Sequence, residues 1–477
     1  MSCANATPVE RTELQSHITD LLSTSPARTV AVYVLDANTS EVLVNLTGEQ
    51  PVKPASCNKL LTTAAALSLL GPEFTFHTRV LYTGEHWQRG GVLHGDLIIE
   101  GGGDPTISGR FAKDKRDVTS IFRNEWESTL GGYFDRIEGN IIADDSFFDD
   151  EYFHPAWYPA ERAEWYEAEI SALAFNDNCV DLSWSSRNKL PGAIADVQLN
   201  PKTKYVTLQN NVRVAAKGRR VERYYTRAAE RNDITASGTL ALDSTKEDSA
   251  AIHNGALYFA TVLKDTLTSD GFRISGKPLH RRGAASVKGA EELIDHPSPP
   301  LAEIIKVVNL NSQNFYAECL CKSLGKLRGS GGSFAAGTDV IEKFARDHRI
   351  FHEGHDAVDG SGLSPRNRTT ARQLVETLRF MDGTEWRDAW RATLPQGGTR
   401  GSLKSRFQGT AASRALAPRI FGKTGLIGGV RSLSGFVKND DGRELYYSIV
   451  LNELSEGRAE EGMAMIDRIA LALAEAQ

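Results

Sequence analysis

The two ends of this chain carry matching patterns of helix and β-hairpin, and this match limits the possible folds more than any other feature. Each hairpin is predicted from alternating β-branched and apolar residues around a polar turn, and each helix from apolar residues at helical spacing. The predicted elements are a helix at residues 11–24, strands at Thr29–Leu35 and Glu41–Leu46, strands at Leu433–Val437 and Leu445–Leu451, and a helix at Glu460–Ala474. One antiparallel sheet covered by helices would use both ends and bring the termini together. We therefore expect an α+β fold.

The middle of the chain has a different sequence pattern. From about Tyr82 to Arg282 it is rich in short β-like runs and turns, and it holds most of the tryptophans. A chain of 477 residues is longer than a domain with a single hydrophobic core usually is. We expect a split domain made of residues 1–82 and 283–477, interrupted by an inserted region at 83–282 that comprises two smaller, mainly β domains.

Charge and hydropathy exclude some classes of partner. The formal net charge of −6 argues against nucleic acid, which favours a basic surface. No apolar run approaches the roughly 20 residues that span a bilayer, so no transmembrane segment is expected. The first residues lack the basic and apolar regions of a secretory signal. The five cysteines show no metal-ligand spacing and are expected to be buried free thiols. They are Cys3, Cys57, Cys179, Cys319 and Cys321.

Ser56 and Lys59 form the first motif that could carry chemistry. They precede a run, Leu60–Leu70, that is apolar nearly all round and so predicts a buried helix. Three positions apart, both side chains lie on one face of its first turn. Burial and the helix N-terminus favour the neutral amine, which can accept the serine proton. The alternative is a helix cap beside a lysine that reaches solvent.

Two further motifs are weak when taken singly. Ser312 and Asn314 precede a predicted helix and could relay a proton and hold a lysine, or could simply cap that helix. Lys423-Thr-Gly425 leads into a predicted strand edge, where glycine lets a substrate backbone pair closely. A surface turn is the alternative there. Lys423 would lower the pKa of a neighbouring amine.

Taken together and in this order, the three motifs resemble those of penicillin-recognising serine enzymes. The long separation of Ser56 from Ser312 is similar to that of the D-alanyl-D-alanine carboxypeptidase/endopeptidase family, the class C low-molecular-mass penicillin-binding proteins with a large insert. Other stretches resemble the same family from about residue 11 to the C-terminus. They are Gly101–Pro105, Asp144–Phe148, Ser171–Asn176, Asp359–Ser364, Leu394-Pro395 and Gly401–Leu403.

The resemblance implies a transpeptidase-like catalytic domain and a serine DD-peptidase. Ser56 would attack the D-Ala-D-Ala carbonyl to give an acyl-enzyme, and Lys59 would take its proton. Ser312 and Lys423 would protonate the leaving amine, while Asn314 would hold Lys59 and the substrate amide.

It further implies an oxyanion hole formed by the backbone N–H groups of Ser56 and Leu426. Thr424, Gly425 and Leu426 would bind substrate, and Asp144 would reach the stem-peptide side chain. The implied partners are peptidoglycan stem peptides and β-lactams, which act as covalent inhibitors. No metal and no other cofactor is expected, and the substrate implies an extracytoplasmic location.

The chain departs from the family pattern at two positions. Gln313 replaces the usual aspartate, which should alter loop hydrogen bonds while the chemistry is retained. Leu426 replaces a serine or threonine whose hydroxyl helps to hold the substrate's terminal carboxylate. Carboxypeptidase specificity is therefore expected to weaken, with Arg431 able to compensate electrostatically. Cys57 has no histidine partner in sequence and is not expected to be catalytic.

Two other functions fit the same motifs. A β-lactamase or esterase could use this scaffold, although such enzymes usually lack a large insert. A catalytically silent wall-binding protein is suggested by Gln313 and Leu426. Acylation of Ser56 by a β-lactam separates the three hypotheses.

Overall fold

The computed structural model describes residues 8–86 and 91–476. Its internal contacts divide the chain into two units, one formed by the residues up to Phe74 together with those from Pro300, the other by Thr75–Pro299. The sequence-based bounds at 82/83 and 282/283 fall inside the second unit. Strands β3 and β18 belong to a sheet of that unit, and alternation alone does not show which sheet a strand joins.

The described residues form helices and strands in the following order. The helices are α1 (Pro8–Leu22), α2 (Lys59–Leu70), α3 (Glu127–Tyr133), α4 (Gly255–Ser269), α5 (Leu301–Leu310), α6 (Asn314–Arg328), α7 (Phe334–Asp347), α8 (Ala371–Asp382), α9 (Arg387–Arg391), α10 (Ala411–Leu416) and α11 (Ala459–Glu475). The strands are β1 (Ala27–Asp36), β2 (Val42–Leu46), β3 (His77–Tyr82), β4 (Glu85–His86), β5 (Gly91–His94), β6 (Leu97–Gly101), β7 (Phe134–Ile137), β8 (Ile141–Asp144), β9 (Cys179–Ser185), β10 (Asp196–Asn200), β11 (Thr207–Asn210), β12 (Arg213–Val214), β13 (Arg223–Arg227), β14 (Asp233–Leu240), β15 (Thr245–Ala251), β16 (Arg273–Ile274), β17 (Pro278–His280), β18 (Glu291–Pro297), β19 (Ile420–Ile427), β20 (Val430–Lys438) and β21 (Glu444–Leu454).

The first unit is built on one antiparallel sheet with the strand order β19-β20-β21-β1-β2. Both predicted hairpins are present, and β1 pairs directly with β21, where Val32 is opposite Ile449. The two chain ends thus meet in the middle of the sheet. The predicted α+β fold, with an antiparallel sheet flanked by helices, is confirmed.

Helices cover both faces of this sheet. Alternate residues such as Leu433 and Ile449 pack in one cluster with Ile466 and Ile469 of α11. On the opposite face Tyr446 reaches Asp382 of α8. Helix α2 packs among α5, α6, α7 and α8. Its predicted burial is confirmed, since every residue from Lys59 to Leu67 is buried.

The chain leaves and re-enters this unit at one place. The backbone N–H of Leu301 donates to the carbonyl of Phe74 at 2.8 Å, and that of Ala302 donates to Pro72 at 3.0 Å. The residues on the two sides of the insertion are therefore hydrogen-bonded to each other. The backbone of the first unit is thus held together at the point where the insertion interrupts it.

The second unit, Thr75–Pro299, consists mainly of β-structure. Its largest sheet has the order β17-β8-β6-β3-β18, and α4 packs on β8 and β17. Aromatic rings of Phe122, Trp126, Phe175 and Phe259 stack in its core with centroids 5.2–6.2 Å apart. The division of the inserted region into two smaller domains stays a prediction.

The cysteine prediction is confirmed where the structure describes it. Cys57, Cys179, Cys319 and Cys321 are free and buried. Cys3 and the N-terminal residues searched for a signal lie outside the described residues. Within residues 8–86 and 91–476, no helix combines the length and apolar character needed to cross a membrane.

Candidate active site

Ser56 lies in a 3₁₀ turn, Ala55–Asn58, that leads directly into α2. The residue before it, Ala55, has φ = 48°, a left-handed conformation that costs a non-glycine residue about 1–2 kcal/mol. Strain of this kind collects at functional sites, where the surrounding structure enforces it. The Ser56 side chain remains partly exposed, whereas Lys59 is fully buried.

The Lys59 amine has three oxygen partners. Its Nζ lies 2.9 Å from Ser56 Oγ, 2.6 Å from Asn314 Oδ1 and 2.7 Å from the carbonyl of Ser361. Ser56, Lys59 and Asn314, predicted from separate motifs, are thus adjacent in the structure. Ser361 was not predicted as a site residue.

The second lysine, Lys423, also contacts a serine hydroxyl. Lys423 Nζ lies 2.7 Å from Ser312 Oγ and donates to the carbonyl of Thr424 at 2.7 Å. Ser312 itself has φ = 58°, so both candidate site serines involve left-handed backbone, Ser56 through the preceding Ala55. Gln313 is buried and caps α6, because its side-chain oxygen accepts from the N–H of Phe315. The structure therefore gives the departure from aspartate a local hydrogen-bonding role.

Burial lowers the proton affinity of both amines. The pKa of Lys59 lies well below its usual range, first because of burial and then because of the positive charge of Lys423, while Glu318 and Asp359 act in the opposite direction. Burial lowers the pKa of Lys423 to about 8. The lowered pKa of Lys59 favours its neutral amine, which is the form that a general base requires.

Strand β19 lies at the edge of the sheet and carries Lys423 to Leu426. The 3₁₀ turn Ala55–Asn58 carries the candidate nucleophile Ser56, and we call it the nucleophile turn. Gly425 permits a close approach to it, since a Cβ there would lie 2.1 Å from Ser432 Oγ and 2.7 Å from the carbonyl of Pro54, the residue just before the turn. Thr424 and Leu426 alternate with it and project to the other face. Thr424 Oγ1 is 2.7 Å from Ser402 Oγ, and the Leu426 side chain is 64% exposed.

A cavity of about 740 Å³ adjoins this strand. Its lining includes Ser402, Thr424, Leu426 and Arg431. The guanidinium of Arg431 donates to the carbonyls of Ile427 at 3.2 Å and Val430 at 2.6 Å. Both bonds hold the guanidinium against the turn between β19 and β20. It stays a prediction that Arg431 compensates for the hydroxyl that Leu426 lacks.

Asp144 lies in the inserted unit, at the end of β8. Its side chain is fully buried, and its carboxylate accepts from the N–H groups of Ser146, Gly283 and Ala285 at 2.8–3.0 Å. These bonds give the carboxylate a structural task in holding the loop after β17. Its contact with a stem peptide stays a prediction.

A loop absent from the predicted site contacts the nucleophile turn and α2. Asn58 Nδ2 donates to the carbonyl of Asp359 at 2.9 Å, and Thr62 Oγ1 donates to that of Gly360 at 2.7 Å. Together with the bond from Lys59 to Ser361, three consecutive carbonyls of this loop are held by the start of α2. We call residues 359–364 the strap.

Glu318 of α6 is the second residue that sequence reasoning missed. Its buried carboxylate accepts from the N–H groups of Gly360 at 2.9 Å and Ser361 at 2.7 Å. Burial raises the pKa of Glu318 to about 8. A signal existed in the sequence, since Asn314 and Glu318 are four positions apart and share one face of the predicted helix.

Cys57 packs beneath the site as a neutral thiol. Its Sγ lies 3.1 Å from the carbonyl of Lys423 and 3.2 Å from Ser432 Oγ, and burial raises its pKa. A raised thiol pKa disfavours the reactive thiolate. The arrangement as a whole offers one activated hydroxyl, at Ser56, with a base beside it, and a second lysine–serine pair that can transfer a proton.

Comparisons with known proteins identify the family of the chain. The chain matches the D-Ala-D-Ala carboxypeptidase 3 (S13) family over residues 11–473. A D-alanyl-D-alanine carboxypeptidase from an Actinomadura species is 32% identical over 99% of this chain and 86% of that protein.

Solved structures show the same fold. The crystal structure of penicillin binding protein 4 from Haemophilus influenzae superposes with a TM-score of 0.78 at 23% identity, covering 95% of this chain and 97% of the other. The same protein in complex with a β-lactam gives a TM-score of 0.74 at 22% identity, with 96% and 98% covered. From the family match across nearly the whole length, the chain belongs to the D-Ala-D-Ala carboxypeptidase 3 (S13) family of peptidases.

Proposed function

We propose that this protein is a serine DD-peptidase that cleaves D-Ala-D-Ala termini, D-Ala cross-links of peptidoglycan, or both, through an acyl-enzyme on Ser56. The observation that carries the proposal is the contact of Lys59 Nζ with Ser56 Oγ at 2.9 Å, inside a buried pocket that lowers the lysine pKa. The carboxypeptidase name of the Actinomadura relative supports the substrate class.

Acylation begins with proton transfer from Ser56 to the neutral Lys59 amine. Ser56 Oγ then forms a bond to the carbonyl carbon of the penultimate D-Ala, and the carbonyl oxygen becomes an oxyanion. The N–H groups of Ser56 and Leu426 stabilise this charge. The approach of β19 to the nucleophile turn at Gly425 and Pro54 supports their pairing.

Collapse of the tetrahedral intermediate breaks the C–N bond. The leaving amine takes the hydroxyl proton of Ser312, and the Lys423 ammonium resupplies it across 2.7 Å. In deacylation, water gives a proton through Ser312 to the neutral Lys423 amine and attacks the ester carbonyl. The Lys59 ammonium returns its proton to Ser56 Oγ as the ester C–O bond breaks, which restores both lysines to their starting states. A β-lactam undergoes the same ring-opening attack but keeps its leaving amine tethered, so the acyl-enzyme accumulates.

Location and inhibition follow from the substrate. Peptidoglycan stem peptides lie outside the cytoplasm, which places the working protein in the periplasm or the cell-wall space. The β-lactam complex of the Haemophilus structure supports β-lactams as ligands of this fold.

Intact-mass measurement after incubation with benzylpenicillin tests the proposal. We expect a stable adduct of one benzylpenicillin on Ser56, located by peptide mapping, and none on the Ser56→Ala variant. Turnover of the antibiotic without accumulation would instead indicate a β-lactamase. No adduct, with no release of D-Ala from peptide substrates, would indicate a catalytically silent protein.

A further inference from the structure

The two carbonyl oxygens that contact Lys59 limit how a neutral amine can orient. A neutral amine has two N–H bonds and one lone pair, and a carbonyl oxygen can only accept. Asn314 Oδ1 at 2.6 Å and the Ser361 carbonyl at 2.7 Å therefore take both N–H bonds. The lone pair is left facing Ser56 Oγ, the position from which it can receive the serine proton.

One face of α6 fixes both acceptors. Asn314 supplies the first acceptor directly. Glu318, one helical turn further on, supplies the second indirectly, because its carboxylate binds the N–H groups of Gly360 and Ser361 and so orients the peptide that carries the Ser361 carbonyl. A carboxylate with both oxygens bound to backbone N–H groups is a strong anchor for a loop.

Steric contacts show how closely the strap is held. A Cβ at Gly360 would lie 2.6 Å from Cys321 Cβ and 2.9 Å from the carbonyl of Ala317, both on α6. On the other side, a Cβ at Gly362 would lie 1.9 Å from the carbonyl of Ala55. The strap is thus clamped between α6 and the nucleophile turn, so a change at Glu318 is transmitted to Lys59.

We propose that Glu318 is a positioning residue for the general base: it holds the Ser361 carbonyl so that the Lys59 lone pair points at Ser56. This rests on the proposed function, because it assigns Lys59 the part of base in acylation. Glu318 acts through the strap and does not touch substrate.

Charged and titratable groups lie around the Lys59–Glu318 pair. Lys423 on β19, Asp359 in the strap and Cys57 in the nucleophile turn act on Lys59, and Asp359 and Lys322 act with Glu318 on Cys321 of α6. Because burial raises the pKa of Glu318 to about 8, this carboxyl group is largely uncharged below that pH. Its effect on Lys59 there is one of geometry.

The Glu318→Gln variant separates this role from simple support of the fold. Its amide keeps one acceptor but presents a donor to the other backbone N–H, so we expect the maximal acylation rate by benzylpenicillin to fall roughly tenfold. Because the raised pKa of Glu318 leaves the carboxyl group largely uncharged below about pH 8, the acidic limb of the pH–rate profile should stay at the wild-type pH. Single-turnover acylation measured by mass spectrometry across pH gives both values.

Two further variants test the geometry. Glu318→Asp keeps the carboxyl group but shortens the reach, so its rate should fall while the acidic limb stays at the wild-type pH. Thr62→Val removes the neutral bond to the Gly360 carbonyl and should also leave the limb in place. These variants test the proposal even where Glu318→Gln folds poorly, which thermal unfolding would reveal.

The outcomes distinguish this proposal from the proposed function. Wild-type protein that forms no adduct at Ser56 would overturn both. Normal acylation of the wild type, together with a Glu318→Gln variant whose rate and pH profile match it, would overturn the positioning role alone. An acidic limb that moves in the Glu318→Gln variant with an unchanged maximal rate would show that Glu318 acts through its charge, and would overturn positioning as its role.

Discussion

At the scale of single residues, the proposed mechanism makes the reactivity of Ser56 depend on the protonation of two buried lysines. It needs Lys59 neutral, so the acylation rate should rise with pH through its lowered pKa. Lys423 must be protonated to resupply Ser312, and this form is lost above its pKa of about 8. We expect a bell-shaped profile of acylation against pH whose alkaline limb lies near pH 8. A rate that stays constant from pH 8 to 10 would contradict the role of Lys423.

We expect Leu426 to affect the part of the site that binds the leaving group. Its side chain is exposed and lies on the same strand face as Thr424. A Leu426→Thr variant adds a hydroxyl there, so we expect release of D-Ala from a peptide with a free terminal carboxylate to rise roughly fivefold, corresponding to about 1 kcal/mol.

The matched control for Leu426→Thr is the same peptide with an amidated C-terminus. The added hydroxyl should leave its cleavage rate unchanged, because the amide carries no carboxylate charge. An equal gain on both peptides, measured by released product, would contradict a role in carboxylate recognition.

Sequence reasoning found the residues that stand in local motifs. Five site residues were each predicted from a short pattern. In the structure Lys59 contacts Ser56 and Asn314, and Lys423 contacts Ser312. Glu318 and Ser361 were missed because their importance arises from a contact between α6 and the strap. Neither residue stands beside a candidate nucleophile in the sequence.

At the scale of elements, the strap and the nucleophile turn depend on glycine at position 362. Gly362 has φ = 80°, and a Cβ there would lie 1.9 Å from the carbonyl of Ala55. A Gly362→Ala variant should lose at least about 1–2 kcal/mol of unfolding free energy from the backbone conformation alone. It should also acylate slowly, because the turn that holds Ser56 must shift.

Gly428→Ala serves as the control for that change. A Cβ at Gly428 meets nothing within 4 Å, and the residue lies in the turn after β19. Urea unfolding and benzylpenicillin acylation of this variant should match the wild type. Equal losses in the two variants would show that any alanine in this region is harmful.

The terminal elements could be predicted because their patterns are strong and local. The hairpin strands around Asp36 and around Asp440 follow from alternation and turn residues, and α2 follows from its continuous apolar run. The bounds of the insertion could not be located in the same way. Strands β3 and β18 alternate like any others, and only their pairing partners assign them to the inserted unit.

At the scale of the whole molecule, each unit has a hydrophobic core of its own. One cluster includes Val34, Ile449 and Ile466, while another includes Trp126 and Phe259. We expect two transitions in differential scanning calorimetry, as is usual for chains with separate cores. Gly362→Ala should lower only the transition of the first unit.

Asp145 provides the reciprocal variant in the inserted unit. It is buried and accepts from His280, Arg282 and Ser171 at 2.9–3.0 Å. Burial raises its pKa, but the bond from His280 and the charges of His280 and Arg282 outweigh burial, so the net shift is downward. Asp145→Asn removes the charge that accepts from His280 and Arg282, although Arg282 still donates to the carbonyl of Phe148, and should cost about 1.5–3 kcal/mol in that unit only.

The pH dependence of the Asp145 effect has a defined sign. A carboxyl group whose pKa is lowered by folding stabilises the protein above its unfolded value of about 3.9 and loses that contribution as pH falls below it. The difference between wild type and Asp145→Asn should therefore be full at pH 7 and shrink below about pH 4. A difference that is independent of pH, or a single transition moved by both variants, would contradict these expectations.

The pairing of β1 with β21 has a consequence for how the protein is made. Val32 is opposite Ile449, so β1 leaves the ribosome roughly 400 residues before its partner, which is about 20–80 seconds at ordinary rates of translation. The central strand pair and β19, which carries Lys423, are absent throughout that time. The inserted unit can fold during synthesis, but the nascent chain remains catalytically inert until its last strands have been translated.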